Sequence, residues 1–286
     1  MKLSYYDISH PHTAVVKHSH RITPEDFPVE VRHITLHIPS GGLSFVEGQS
    51  IGVLISGQHQ FGNPHHLRLY SIASSRLGED GHGSDIAICV RRCFYIDEVN
   101  GEEYPGIASN FLCNRREGDE VTITGPYGNH FTMPESRDAN LLMVGVGTGI
   151  APFRAFVKRI FHEKEYWKGK VRLFYGANHG LELLYMNDLV NDFDLYYDEE
   201  SFKAFEAVSP RPHVQAPVTW EAHMNDNGEE VWNMLQEPNT YVYVAGLENA
   251  LDAFNRTMTR VADSEAAWQT VQEGLKQDGR WAELIY

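Results

Sequence analysis

Gly145-Val146-Gly147-Thr148-Gly149-Ile150-Ala151-Pro152-Phe153 follows the apolar run Leu141-Leu142-Met143-Val144 and leads into a helical period with Pro152 in its first turn. Strand, glycine turn and helix in that order form the unit from which doubly wound parallel sheets are built. Glycines let a backbone approach an anion closely, and the unsatisfied N–H groups and dipole at the helix start favour a pyrophosphate. The spacing is G-x-G-x-G rather than G-x-G-x-x-G, so the motif by itself also suits a plain tight connection.

Working outward, the C-terminal side continues the alternation of apolar strands and helical periods. LLMVGVG, VRLFYGA, FKAFEAVS and YVYVAGL read as strands, and PFRAFVKRIFHEKEY, LELLYMNDLVNDF, EEVWNMLQ and ENALDAFNRTMTRV as helices. On the N-terminal side, short strands separated by Gly, Pro and Asn (VRHITLHI, SIGVLI, HLRLYSIAS, SDIAICVRR, DEVTITG) fit an antiparallel barrel. The turn-rich stretch Met133 to Asp138 separates the two regimes without cutting a periodic element. The expected architecture is an antiparallel β-barrel over 1–135 followed by an α/β doubly wound parallel sheet over 136–286.

Composition narrows the function classes. The 286 residues carry 39 acids against 24 bases, a formal charge of -15, which opposes binding to nucleic acid or anionic lipid. Three cysteines, none in a C-x-x-C, point to a reducing compartment, with the cytoplasm expected and no cysteine-bound metal. Neither a signal peptide nor an apolar run of about 20 residues is evident. Nine of the 15 histidines precede residue 67, without acids or cysteines at ligand spacing, so no metal site is expected. Tyr196 to Glu200 reads as a solvated acidic loop.

In the barrel half, Arg68-Leu69-Tyr70-Ser71-Ile72-Ala73-Ser74-Ser75 would place Arg68 and Tyr70 on one face of a strand. A guanidinium able to grip a diphosphate then lies beside an aromatic plane able to stack on a flat ring, with the Ser71 hydroxyl at its edge.

From about residue 45 onward the chain resembles the ferredoxin:NADP reductase family, in its plant-type and related bacterial branch. The resemblance rests on RLYSIASS, Cys89-Val90-Arg91-Arg92, GIASNFLC (106 to 113), GPYG (125 to 128), GVGTGIAPFRAF and YVYVAGLE, in the family's order and spacing. It implies a barrel that holds FAD, a C-terminal fold that holds NADP(H), and an isoalloxazine between them. Arg68, Leu69, Tyr70 and Ser71 match the flavin-binding strand, with Tyr70 stacked on one face of the ring and Ser71 near N5, where hydride arrives. Cys89 opens the segment in which Arg91 would meet the FAD phosphates, and Tyr95 matches the residue that stacks on adenine. Gly106, Ile107, Ala108 and Ser109 match the phosphate loop. Gly147, Thr148 and Gly149, with Gly246, Leu247 and Glu248, match the nicotinamide nucleotide site, Thr148 touching flavin and nicotinamide alike. The terminal Tyr286 would cover the second flavin face and move aside for nicotinamide.

Three positions depart from the plant pattern. Ala245 replaces the cysteine of C-G-L, Leu284 replaces the acid two before the last tyrosine, and Ser209-Pro210-Arg211 replaces the Ser-Arg pair that receives a 2'-phosphate. Glu248 or Glu283 could stand in for the lost groups, and NAD(H) remains an alternative to NADP(H). The implied activity is an FAD-dependent oxidoreductase that exchanges electrons between NADP(H) and a one-electron iron–sulfur carrier such as ferredoxin. The alternatives are the reductase component of a multicomponent oxygenase and a flavin- or nucleotide-binding regulatory module without turnover. Seven bases between Arg154 and Arg172, against Glu163 and Glu165, suggest a positive stripe that steers an acidic ferredoxin.

Overall fold

The computed structural model describes residues 6–39, 43–57, 65–97, 101–162, 167–196, 202–208 and 220–286. The chain forms two compact units, Met1–Thr132 with Arg154–Arg159, and Met133–Phe153 with Ile160–Tyr286.

The first unit contains β1 (His12–Arg21), β2 (Val31–His37), β3 (Ser50–Ser56), β4 (His65–Ser71), β5 (Asp85–Arg91), the short pair β6 (Phe94–Ile96) and β7 (Glu103–Pro105), α1 (Ile107–Cys113) and β8 (Glu120–Tyr127). Six strands pair antiparallel in the order β4-β3-β8-β1-β2-β5. Just past β4, Ile72 bridges Ile88 of β5, and the Ala73 N–H donates to the Ala87 carbonyl at 2.7 Å. The two ends of the order are thus joined, and a closed barrel leaves no open edge for aberrant pairing. Period-two patterning fills its interior: Ala14 and Val16 of β1 and Val121 and Ile123 of β8 are buried, while Thr13, Lys17 and Glu120 are exposed.

The second unit contains β9 (Asn140–Val146), α2 (Ile150–His162) apart from its Arg154–Arg159 stretch, β10 (Val171–Ala177), β11 (Phe202–Val208), α3 (Trp220–Asp226), α4 (Gly228–Gln236), β12 (Thr240–Gly246), α5 (Glu248–Val261), α6 (Glu265–Gln277) and β13 (Trp281–Ile285). Its five strands are parallel in the order β11-β10-β9-β12-β13. The order reverses at β9, so the carboxyl ends of β9 and β12 flank the switch point where such sheets bind ligands.

One expected element does not form. LELLYMNDLVNDF makes short 3-10 turns at Gly180–Glu182 and Phe193–Tyr196 instead of a helix. Inside that stretch the Asn187 side chain accepts the N–H groups of Leu189 and Val190, both at 3.0 Å, which diverts the backbone from a helical ladder. α6 starts at Ser264, which caps it by accepting the Ala267 N–H at 3.2 Å.

Candidate functional site

At the switch point three glycines have distinct tasks. Gly147 sits at φ +58, and a Cβ there would meet nothing within 4 Å, so the turn presents an open backbone face. Gly149 is the opposite case, because its Cβ would lie 2.4 Å from the Ala245 carbonyl oxygen at the end of β12. Gly246, at φ +135, packs in the same way on Val146, whose oxygen would be 2.9 Å from an added Cβ. The GVGTG and AGLE motifs therefore interlock backbone to backbone. Glu248 opens α5 directly after Leu247, and both are exposed beside this turn.

β13 brings the chain end to the same place. The Tyr286 N–H donates to the Gly246 carbonyl at 3.1 Å, and its hydroxyl shares a 2.7 Å hydrogen bond with Thr148 Oγ1. Gly147, Thr148, Gly149, Gly246, Leu247, Glu248 and Tyr286 are thus gathered at one point of the second unit. Tyr286 is 58% exposed.

In the first unit the other expected set also converges. Gly106 precedes α1 in an extended conformation with no side-chain cap, and the first turn of α1 holds no acid. Ser109 Oγ accepts the Cys93 N–H at 3.1 Å, and Asn110 Nδ2 donates to the carbonyls of Cys93 and Gly106, both at 2.9 Å. These bonds tie the 106–109 turn to the chain leaving β5, where Arg91 is exposed and Cys89 is buried. Tyr95 stacks on Tyr104 with centroids 5.6 Å apart, yet remains half exposed.

On β4, Tyr70 packs against the barrel core, with Leu69 and Ser71 half-buried on either side. Burial, reinforced by Cys113 and Cys93 nearby, pushes its phenol well above the ordinary range, so it stays neutral. Arg68 is exposed, and its guanidinium donates to the adjacent Leu67 carbonyl at 3.2 Å. An uncommitted cation, uncapped helix N–H groups and aromatic faces fit a dinucleotide carrying two phosphates and two ring systems. The open Gly147 turn of the second unit fits a second one.

Several expectations change. The bases of α2 do not form a solvent-facing stripe. Arg154 donates to Glu79 at 2.6 Å and to the Ala73 carbonyl at 2.8 Å, Lys158 reaches Glu79 at 2.8 Å, and Arg159 reaches the fully buried Glu47 at 3.4 Å. Arg172 is buried against Glu230 at 2.5 Å. Lys168 and Lys170 are exposed. Nor can Glu283 replace the missing acid: its Oε1 accepts the Trp281 indole N–H at 2.5 Å and lies 3.5 Å from Lys276. It shares the strand face of Trp281 and Ile285, which pack on the helix-side core, opposite to Leu284. Ser209, Arg211, Lys164 and positions 197–200 of the expected acidic loop lie outside the described residues.

Residues that local reading passed over include Tyr175, at the end of the buried strand β10, whose hydroxyl lies 2.9 Å from the Gly147 carbonyl. Glu47 and Glu79, the partners of the α2 bases, were likewise missed.

Comparison with known proteins agrees with this geometry. Residues 143–256 match the family model described as an oxidoreductase NAD-binding domain. The chain is 36% identical over 282 residues to a ferredoxin–NADP reductase of Synechocystis sp., covering 95% of this chain and 66% of that protein, about two thirds of its length. It is 37% identical to the cyanelle ferredoxin–NADP reductase of Cyanophora paradoxa, covering 98% and 77%, and 37% identical to that of Spirulina sp., covering 88% and 87%. The solved ferredoxin–NADP+ reductase of Plasmodium falciparum superposes with a TM-score of 0.74 over 99% of this chain and 98% of that one; at 19% identity it bears on the fold. Two glycine motifs interlocked at the switch point of a parallel sheet, an antiparallel barrel before them, and relatives that share more than a third of their residues over nearly the whole chain lead to one assignment: the chain belongs to the ferredoxin–NADP reductase family of oxidoreductases.

Proposed function

We propose that this protein binds FAD through its barrel, residues 1–135, and NADP(H) through residues 136–286, and passes electrons between NADP(H) and a one-electron iron–sulfur carrier such as ferredoxin. The observation that carries the reading is the junction of Gly147, Gly246 and Tyr286, three positions distant in sequence that meet at the switch point. Bound FAD would supply the conversion between two-electron hydride exchange and one-electron transfer. The chain's own residues bind and orient. Arg68 and the N–H groups of the 106–109 turn would hold phosphate, Tyr70 and Tyr95 would offer ring faces, and Ser71 would supply a hydroxyl to the flavin ring. Thr148 fixes the Tyr286 hydroxyl and so sets where that ring rests. With Ala245 and Leu284 in place of the usual cysteine and acid, nicotinamide placement relies on Tyr286 and its partner Thr148, while the backbone of the glycine turn takes the pyrophosphate. The preference for NADPH over NADH is assigned to Ser209 and Arg211. No helix among the described residues is long and apolar enough to cross a membrane. With Cys89, Cys93 and Cys113 as thiols in no C-x-x-C pair, the proposed location is the cytoplasm.

The test is diaphorase activity with NADPH and NADH in parallel, on purified protein of measured flavin content. The wild type is expected to be yellow, with one non-covalent FAD, and active. Arg68→Ala should lose flavin about tenfold more readily, since a charge-assisted phosphate contact is removed. Colourless wild-type protein that cannot be reconstituted would reject the assignment. Tyr286→Ser should tighten nicotinamide nucleotide binding while turnover falls, because the ring that competes for the flavin face and its bond to Thr148 are both gone. Unchanged affinity and unchanged charge-transfer absorbance would show that the tyrosine does not stack there.

A further inference from the structure

β10 is buried along its whole length, and Tyr175 brings a hydroxyl into that apolar strand. A buried phenol needs partners, and among the described residues this one has Gly147, Glu182 and Leu184 within reach. Its oxygen lies 2.9 Å from the Gly147 carbonyl and 3.2 Å from the Glu182 carbonyl, and it accepts the Leu184 N–H at 3.2 Å. A hydroxyl has a single proton, so the shorter contact makes Gly147 the main acceptor, with Glu182 sharing it. Gly147 is the open, positive-φ residue of the glycine turn, and the Glu182–Leu184 segment is the loop that leaves β10. One atom therefore ties together the loops at the carboxyl ends of two neighbouring strands. The tie also reaches a strained position: Tyr185, directly after Leu184, is buried at φ +64, a conformation that bulky residues adopt only when their surroundings impose it.

We infer that Tyr175 is a positioning residue for the nicotinamide nucleotide. Its hydroxyl holds the Gly147 peptide by the carbonyl, so that the open side of the turn faces the ligand, and couples that turn to the β10 loop so that the two close as one. The inference rests on the nucleotide reading above. Because the turn serves the remote pyrophosphate rather than the reacting ring, losing the brace should weaken ground state and transition state alike.

Tyr175→Phe retains the ring that fills the core and removes one oxygen. Its KM for NADPH should rise about tenfold with kcat within about twofold of the wild type, a split that general loosening of the fold would not give. Amide hydrogen exchange supplies a readout independent of turnover. In the wild type, NADP+ should slow exchange at 147–150 and at 182–184 together, and in Tyr175→Phe protection should be confined to 147–150. An unchanged KM, or coupled protection that persists in the variant, overturns the inference. If the variant does not fold, the wild-type experiment decides alone, since protection of the turn without the loop overturns the coupling. Wild-type protein that neither turns over NADPH nor is protected by NADP+ would mean that the nucleotide reading itself has failed. In that case faster exchange at Leu184 in the ligand-free variant would still mark the brace.

Discussion

Gly149→Val should abolish most NADPH-dependent activity while the protein keeps its flavin. The added Cβ would stand 2.4 Å from the Ala245 oxygen, 2.6 Å from the Ala245 carbon and 2.9 Å from the Gly246 nitrogen. All three are backbone atoms at the end of β12, whose ladder with β9 pairs Ala245 with Gly145, so no side chain can swing aside to admit the methyls. Either the ends of β9 and β12 separate or the turn lifts off the sheet. Displacement of about 1 Å in a positioning element costs about a hundredfold in rate, so kcat/KM for NADPH should fall by at least that much. Flavin content should stay at the wild-type level, because Arg68, Tyr70 and the 106–109 turn belong to the other unit. Wild-type nucleotide affinity in this variant would show that the close approach of the two motifs is not needed.

Such a contact marks the limit of what the sequence discloses. Two-layer patterning is local: the alternation in VTITG, and the apolar runs LLMVGVG and YVYVAGL, register burial along the chain, and so the barrel and the parallel sheet could be read directly, although HTAVVKHSHR, the first barrel strand, was not among the strands expected. GVGTG announces a turn because glycine reports on backbone conformation. That Gly149 answers to Ala245 is a matter of tertiary packing. Charge misled for the same reason. Arg154, Lys158 and Arg159 look like a solvated helix face by spacing, yet their carboxylates come from 75, 79 and 112 residues away. Tyr175 offered no signal at all, since V-R-L-F-Y-G-A is an ordinary buried strand until the position of one oxygen is known. The stretch after it failed in the other direction: its apolar spacing is helical, but Asn187 competes for the backbone.

Glu79→Gln should destabilise the first unit by several kcal/mol, about 3 to 5, and its effect should depend on pH. Burial alone would raise the pKa of Glu79, but hydrogen bonding and charge from Arg154, with Lys158, hold it down at about 2 against an ordinary 4.5. Being depressed in the folded state, this group stabilises fully above about pH 4.5, and its contribution fades as pH falls from 4.5 towards 2. A shift of that size corresponds to about 3 kcal/mol at neutral pH, and removing one partner of a buried ion pair costs about 3 to 5 kcal/mol. His33, buried close by, adds a second titration of the same sign. Burial, then Arg154, with His20 and Lys158 as smaller contributors, push its pKa down to about 3 although Glu79 pulls the other way, so the folded state resists its protonation. Wild-type stability should therefore begin to fall below about pH 6.5, as unfolded histidine takes up a proton, and fall faster below about 4.5, where both groups contribute. The variant should lose the second step and keep the first. Urea unfolding of both proteins at pH 7, 4.5 and 3 separates them: the gap should be widest at pH 7 and narrow by about 1.4 kcal/mol per unit below 4.5. A gap that stays constant from pH 7 to 3 would mean that Glu79 acts through packing and not through its charge.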